Sequence, residues 1–171
     1  MTTPQDFDFD KWLEDAERPE HGVTVYQKAG LIAELDALAE KISNADESED
    51  IDGPSVGGGA GKLRADYAKL AKQFHDSALT FRVAGHTEDE KREIAQANKG
   101  LTDLEVGFVV LADAIKSPKV TVAQVKKLEK AIGEAQFARI LKAYYQASKD
   151  IPVVSADFLP KPFTRGDGGE S

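Results

Sequence analysis

Residues 23–44 decide the fold, and their sequence is VTVYQKAGLIAELDALAEKISN. The opening residues alternate and are β-branched or aromatic, which predicts a strand over Val23–Gln27. A helix is predicted next, over about residues 28–44, because apolar residues recur at spacings of four, three and four. These residues lie on one stripe of the helix: Leu31, Leu35, Leu38 and Ile42.

The same pattern returns in reverse order further along the chain. A second helix, over about residues 61–76, carries a stripe with the same spacing, and residues 79–83 alternate as a second strand with Leu79, Phe81 and Val83 on one face. We therefore predict an antiparallel helical hairpin with a two-stranded β ribbon at its base. The second stripe consists of Leu63, Tyr67, Leu70 and Phe74. The eight residues of the two stripes are called the seam below. We expect them to hold the hairpin together, and they are candidates for binding a further helix from a partner.

Residues 46–61 separate the two helices and are acidic at first and glycine-rich afterwards. This composition predicts a flexible loop. The run Gly57–Lys62 is superficially similar to a phosphate-binding loop. However, Val56 stands where that motif requires its first glycine, and Leu63 stands where it requires a hydroxyl. The sequence therefore does not predict nucleotide binding here.

Residues 85–150 are predicted to form a small helical module with its own core. Three of its helices begin with a threonine followed three residues later by Glu or Gln, a capping box. These pairs are Thr87 with Glu90, Thr102 with Glu105, and Thr121 with Gln124. The second of these helices is expected to bury Leu104, Phe108, Leu111, Ala112 and Ile115. The third ends at Gly133, and the last helix, over about residues 134–149, is expected to bury Phe137, Ile140, Leu141, Tyr144 and in part Tyr145.

Two terminal segments flank these parts. Residues 1–22 form an acidic arm with four large apolar residues, Phe7, Phe9, Trp12 and Leu13. The simpler interpretation, which we adopt, has these residues tuck onto the body; the alternative is a short motif that docks on a partner. Residues 151–171 are predicted to be extended or disordered, and their apolar anchors, which could dock within the chain or on a neighbour, are Phe158, Leu159 and Phe163. The predicted divisions are thus 1–22, 23–84, 85–150 and 151–171.

The composition narrows the classes of function. The chain has 171 residues, a net charge of -8 and no cysteine. The negative charge disfavours nucleic acid as a partner, and the lack of cysteine excludes disulfides and thiolate metal sites. We find no signal peptide and no apolar run long enough to cross a membrane, so we expect no membrane association.

No residues assemble a catalytic, cofactor or metal motif. The three histidines, His21, His75 and His86, lack the spacing of a zinc-binding helix. His21 and His86 flank the predicted strands and could approach each other, but we expect both to be junction residues that face solvent. We therefore predict a binding protein without enzymatic activity, cofactor or metal.

The order of these segments resembles the tail assembly chaperones of long-tailed phages, especially phages of actinobacterial hosts. In the N-terminal half the resemblance rests on Val23–Gln27 leading into the Leu31 helix and on residues 79–83. In the C-terminal half it rests on three further segments, Ser117–Thr121 with Gln124, Gly133–Phe137 and Val154–Phe158.

This resemblance implies a protein of the infected host cytoplasm that is absent from the mature virion. Such proteins bind the tape measure protein, keep it soluble and assist assembly of tail tube protein, as self-associating coats without catalysis. A longer product made by a frameshift near the C-terminus is typical of the family. The alternatives are a structural virion component, such as a head–tail connector or minor tail protein, and a small adaptor protein with no phage context.

Overall fold

The computed structural model describes residues 7–52 and 59–149, which are mainly helical with a small antiparallel sheet. This confirms the predicted fold class at that level. The helices are α1 (Phe9–Glu14), α2 (Leu31–Asp52), α3 (Gly59–Asp76), α4 (Glu88–Ala97), α5 (Asp103–Ala114), α6 (Val122–Ile132) and α7 (Glu134–Lys149). The strands are β1 (Glu20–Tyr26), β2 (Ala78–Ala84) and β3 (Ile115–Ser117).

The sheet has three strands in the order β1-β2-β3, so the prediction of a two-stranded ribbon is wrong. The two predicted strands do pair, with Val23 opposite Phe81. The third strand arises because Ile115 leaves α5 in an extended conformation and lies opposite Val83. Ile115 is fully buried there. The apolar pattern had assigned Ile115 to the face of a helix, and its β-branched side chain suits a strand equally well.

One core lies between the sheet and the helices α5, α6 and α7. Alternation along the strands points Val23, Val25, Phe81 and Val83 into this core, whereas Leu79 near the start of β2 is 45% exposed. The C-terminal helices therefore have no core separate from that of the strands. The other buried members are Phe108, Leu111, Ala114, Ile115, Val125, Phe137, Ile140, Ala143 and Tyr144.

Helices α2 and α3 pack against each other and form what we call the helical pair. At the sheet end, the backbone N–H of Gln27 donates to the carbonyl of Ser77 at 3.0 Å, and Tyr26 stacks on Phe74 with ring centroids 4.2 Å apart. At the far end Asp46 pairs with Arg64. These contacts join the junctions at the sheet end of the two helices, and Asp46 of α2 to Arg64 in the early part of α3.

The helices of the pair are longer than predicted. Residues 46–52 belong to α2 and residues 59–61 to α3, so most of the predicted loop is helical. Two features account for the longer helices. Asp46 of α2 forms an ion pair with Arg64 of α3, and the alanine and glutamate residues near Asp46 are compatible with a helix. The remainder of the predicted loop lies outside the described residues.

The three predicted capping boxes are confirmed, each with hydrogen bonds in both directions. The predicted end of α6 at Gly133 is also confirmed, with φ at 79°, a conformation that favours glycine. Leu104 differs from prediction, because it is 69% exposed in the first turn of α5. Of the two neighbouring tyrosines on α7, Tyr144 is buried and Tyr145 is 58% exposed. The Ser117–Pro118 peptide bond is cis.

Helix α7, the last described helix, is hydrogen-bonded to the end of β1, the first strand. Its Gln136 side chain accepts from the backbone N–H of Tyr26 at 2.7 Å and donates to the carbonyl of the same residue at 3.0 Å. Near its other end, α7 passes so close to Gly85 that no side chain fits there. The first strand and the last helix therefore fix each other's position.

The N-terminal arm is shorter than predicted, because β1 begins at Glu20, and part of it is helical. Asp8 caps α1 by accepting from the backbone N–H of Lys11 at 3.1 Å. The prediction that the apolar residues of the arm tuck onto the body is wrong, since all four are about half-exposed. Phe7, Phe9 and Trp12 instead contact one another, with Phe9 stacked on Trp12 at 5.8 Å.

Candidate functional site

The seam lies in the helical pair, and it is only partly covered. Seven of its residues are half-buried, while Tyr67 is 37% exposed. Among the described side chains of the two helices, Ala60 alone is fully buried. The half-buried seam residues are Leu31, Leu35, Leu38, Ile42, Leu63, Leu70 and Phe74.

The seam remains open because two helices cannot enclose an apolar stripe from all sides. The buried core cluster consists of residues from the sheet and from α5, α6 and α7, and it does not extend into the helical pair. At the base of the pair, the two junctions that connect it to the strands are joined to each other, because the backbone N–H groups of Gln27 and Lys28 donate to Ser77. It thus presents an elongated apolar surface that one further helix could cover.

Charge is unevenly divided between the two helices. Helix α2 contains eight acidic residues and a single lysine, whereas α3 contains four Lys and Arg residues and two Asp. The ion pair between Asp46 and Arg64 already neutralises one acidic residue of α2 with one basic residue of α3. A helix that covers the seam would therefore meet an acidic border on one side and a basic border on the other.

A second candidate site surrounds His86, which is buried, contrary to the prediction that it faces solvent. Its Nε2 atom lies 2.7 Å from Oδ2 of Asp113, and its Nδ1 atom lies 3.2 Å from the hydroxyl of Tyr144. The hydrogen bond from His86, together with nearby Lys116, lowers the pKa of Asp113. Burial raises the pKa of Tyr144. The three side chains join the end of β2 to α5 and α7.

A polar cleft of about 720 Å³ opens beside His86. Most of its charged side chains are already paired, with Arg18 on Glu90 at 2.7 Å and Arg82 on Glu20 at 2.7 Å. The hydrogen bond from the backbone of Thr87, together with the pairing with Arg18, lowers the pKa of Glu90 to about 2. A cleft whose charges neutralise each other in this way is suited to holding the arm's base against α4.

Sequence reasoning missed the His86 cluster because its partners are 27 and 58 residues away along the chain. The one local signal was the position of His86 between the end of a strand and a capping threonine. His21 lies in β1 opposite Val83. Within residues 7–52 and 59–149, no group of three or more His, Asp or Glu side chains could hold a metal ion.

Two other predicted features have different outcomes. Lys62, from the glycine-rich run, lies in α3 as an ordinary helical residue. The tail anchors Phe158, Leu159 and Phe163 lie outside the described residues. Among the helices of the described part, none combines the length and apolar character needed to cross a membrane.

Comparison with models of known protein families, with curated protein sequences and with solved structures gives no match to this chain.

Proposed function

We propose that this chain is a phage tail assembly chaperone that binds the tape measure protein and keeps it soluble until the tail tube encloses it. The observation that carries the proposal is the half-covered seam of the helical pair. We take this pair to be a helical hairpin whose purpose is to accept one more helix. The resemblance of the segment order to tail assembly chaperones supplies the identity of that helix.

The degree of exposure suits temporary binding. Full burial of a leucine stabilises a complex by about 1.5–3 kcal/mol. A seam residue that is already largely covered therefore has at most roughly 1 kcal/mol left to contribute. Contacts of that size, repeated along an elongated surface, hold a long client through many copies. Each copy can still be displaced when tube subunits arrive, because no single copy binds tightly.

The charges support a helical client with a basic edge. Helix α2 is rich in acidic residues, and a client edge that faces this helix would carry Lys or Arg. The net charge of -8 keeps the free protein dispersed and away from nucleic acid. We further propose self-association along the client, contact with the tail tube protein, residence in the host cytoplasm and absence from the mature virion.

The proposal is tested by producing the phage's tape measure protein with and without this chain. We expect the tape measure protein to be soluble only when the chain is present, and to sediment with it. The double variant Leu35→Asp/Leu70→Asp should lose this effect, because two carboxylates enter the seam. Its matched control is Ala37→Asp/Ala68→Asp, which adds the same charges on exposed faces of the same two helices.

Circular dichroism of each variant shows whether the sheet and C-terminal helices still form. Unchanged solubility of the tape measure protein with the seam variant would contradict the proposal, and so would equal loss with the control. Mass spectrometry of purified virions tests the alternative of a structural component. Abundant copies in mature particles would favour a connector or minor tail protein over a chaperone.

A further inference from the structure

The arm carries an apolar cluster that no part of the chain within residues 7–52 and 59–149 buries. Phe7, Phe9, Trp12 and Leu13, which we call the arm cluster, are between 48% and 58% exposed, and none of the residues of α1 is buried. Their rings are ordered against one another, with Phe9 stacked on Trp12. Four exposed large apolar side chains on so short a segment form a preassembled docking element.

A second apolar surface lies on the outer face of α7. It is a shallow cleft of about 360 Å³ between residues that recur at helical spacing, with Tyr145 58% exposed at its centre. We call it the α7 stripe. It consists of Ala138, Leu141, Lys142, Tyr145, Gln146 and Lys149.

Charge matches these two surfaces to each other. The arm cluster is interspersed with Asp8, Asp10, Glu14 and Asp15, opposed by Lys11 alone. The α7 stripe is bordered by Lys142 and Lys149. A neighbouring apolar groove between α5 and α7 shares Ala138 and Leu141 with the stripe. Its border carries Asp103, Glu129 and Glu134, which would repel the arm, so the lysine side of the stripe is the side that matches it.

We propose that the arm cluster of one copy docks on the α7 stripe of a second copy. Within one chain both surfaces are exposed, although Arg18 at the base of the arm lies beside Ala147 and Ser148 near the end of α7. Two copies related by a two-fold axis satisfy both surfaces twice. The inference stands apart from the proposed chaperone function, since it requires no client.

The chain contains its own reporter, because Trp12 is its single tryptophan. In a dilution series of the full chain, we expect Trp12 emission to shift to the blue and acrylamide quenching to fall as concentration rises. Sedimentation should change from monomer to dimer over the same range. Raising the salt concentration should move both curves to higher protein concentration, because the lysines and carboxylates are exposed.

Lys142→Glu/Lys149→Glu should move both curves to at least about tenfold higher concentration. Its matched control is Lys127→Glu/Lys130→Glu, which reverses two exposed lysines on α6 and should leave them unchanged. Adding an equal amount of Glu14→Lys/Asp15→Lys chain to the α7 variant should restore dimers. Rescue between separate chains requires docking in trans.

Three results would overturn the inference. Blue-shifted emission at every concentration would mean that the arm docks on its own chain. Dimers that form while Trp12 remains exposed would mean that another surface, such as the seam, joins the copies. Equal weakening by the α7 variant and by its α6 control would mean that net charge, and not the stripe, governs association.

Discussion

Replacing Gly85 by alanine should damage the junction between the sheet and the last helix. A Cβ atom at this position would lie 2.5 Å from Cα and 2.6 Å from N of Ser148, and 2.7 Å from the carbonyl oxygen of Ala147. All three are backbone atoms of α7, so no side chain can rotate away. Either the end of β2 or the helix must move by about 1 Å to reach ordinary contact distance.

The expected cost follows from that geometry. Overpacking of a well-packed interior costs about 1–3 kcal/mol, and a clash with backbone belongs at the upper end of this range. For a chain of this size 1 kcal/mol corresponds to about 2–4 °C in Tm. Gly85→Ala should therefore lower the free energy of unfolding by about 3 kcal/mol and Tm by about 6–12 °C.

Gly107→Ala is the matched control, because it adds the same methyl group in the interior of α5, where a Cβ would meet no atom within 4 Å. It should stabilise the protein by about 0.5–1 kcal/mol through helix propensity. Urea unfolding followed by circular dichroism measures both variants. If Gly85→Ala unfolds within about 0.5 kcal/mol of the parent chain, the close approach of β2 and α7 is not as described.

The remaining predictions concern the His86 cluster, the cleft and the seam. His86→Ala removes two hydrogen bonds and leaves a cavity, so it should cost about 2–4 kcal/mol in urea unfolding, against less than about 0.5 for His75→Ala on an exposed face. The pKa of Glu90 is lower in the folded chain than its unfolded value near 4.5, so the ionised carboxylate stabilises the fold at pH values above about 4.5. This contribution is lost as the pH falls from about 5 towards 2. Because the side chain is one-third exposed, Glu90→Gln should cost no more than about 1 kcal/mol at pH 7 and nothing at pH 2; a constant difference across pH would contradict the ion pair. Ile140→Ala, in the closed core, should cost about 2–5 kcal/mol, while Leu38→Ala, in the open seam, should cost about 1; equal costs would mean that the seam is closed.

The sequence predicts best where the signal is local. The three capping boxes and the end of α6 at Gly133 follow from residues within one turn of each other, and they were located correctly. The two long strands follow from alternation over a few residues. Such features require no knowledge of what packs against them.

The features that sequence reasoning missed depend on contacts between distant parts of the chain. Ile115 has the spacing of a helical residue, and only its pairing with Val83 makes it part of a strand. The burial of His86 depends on Asp113 and Tyr144, which no local pattern connects to it. The seam is predicted as a candidate surface for a partner helix, but the extent of its cover is not, because a period of 3.6 residues shows which face is apolar but not what covers it.

The two open surfaces are chemically distinct and can serve different partners. The seam is long and bordered by both signs of charge, as suits a client helix held by many copies. The α7 stripe is short and bordered by lysine, and the arm cluster that matches it is bordered by carboxylates. Copies linked through their arms would leave every seam accessible, so that association and client binding need not compete.

The two hydrogen bonds between the side chain of Gln136 and the backbone of Tyr26 can form only late in the synthesis of the chain. The two residues are separated by 110 positions, and ribosomes add about 5–20 residues per second. Tyr26 at the end of β1 is therefore made roughly 5–20 seconds before Gln136, whose side chain caps the open edge of that strand. During that interval Val23 and Val25 have no helix to cover them, since α7 supplies much of that cover. During synthesis the chain therefore passes through a stage in which the apolar side chains and the free edge of β1 are exposed to aggregation.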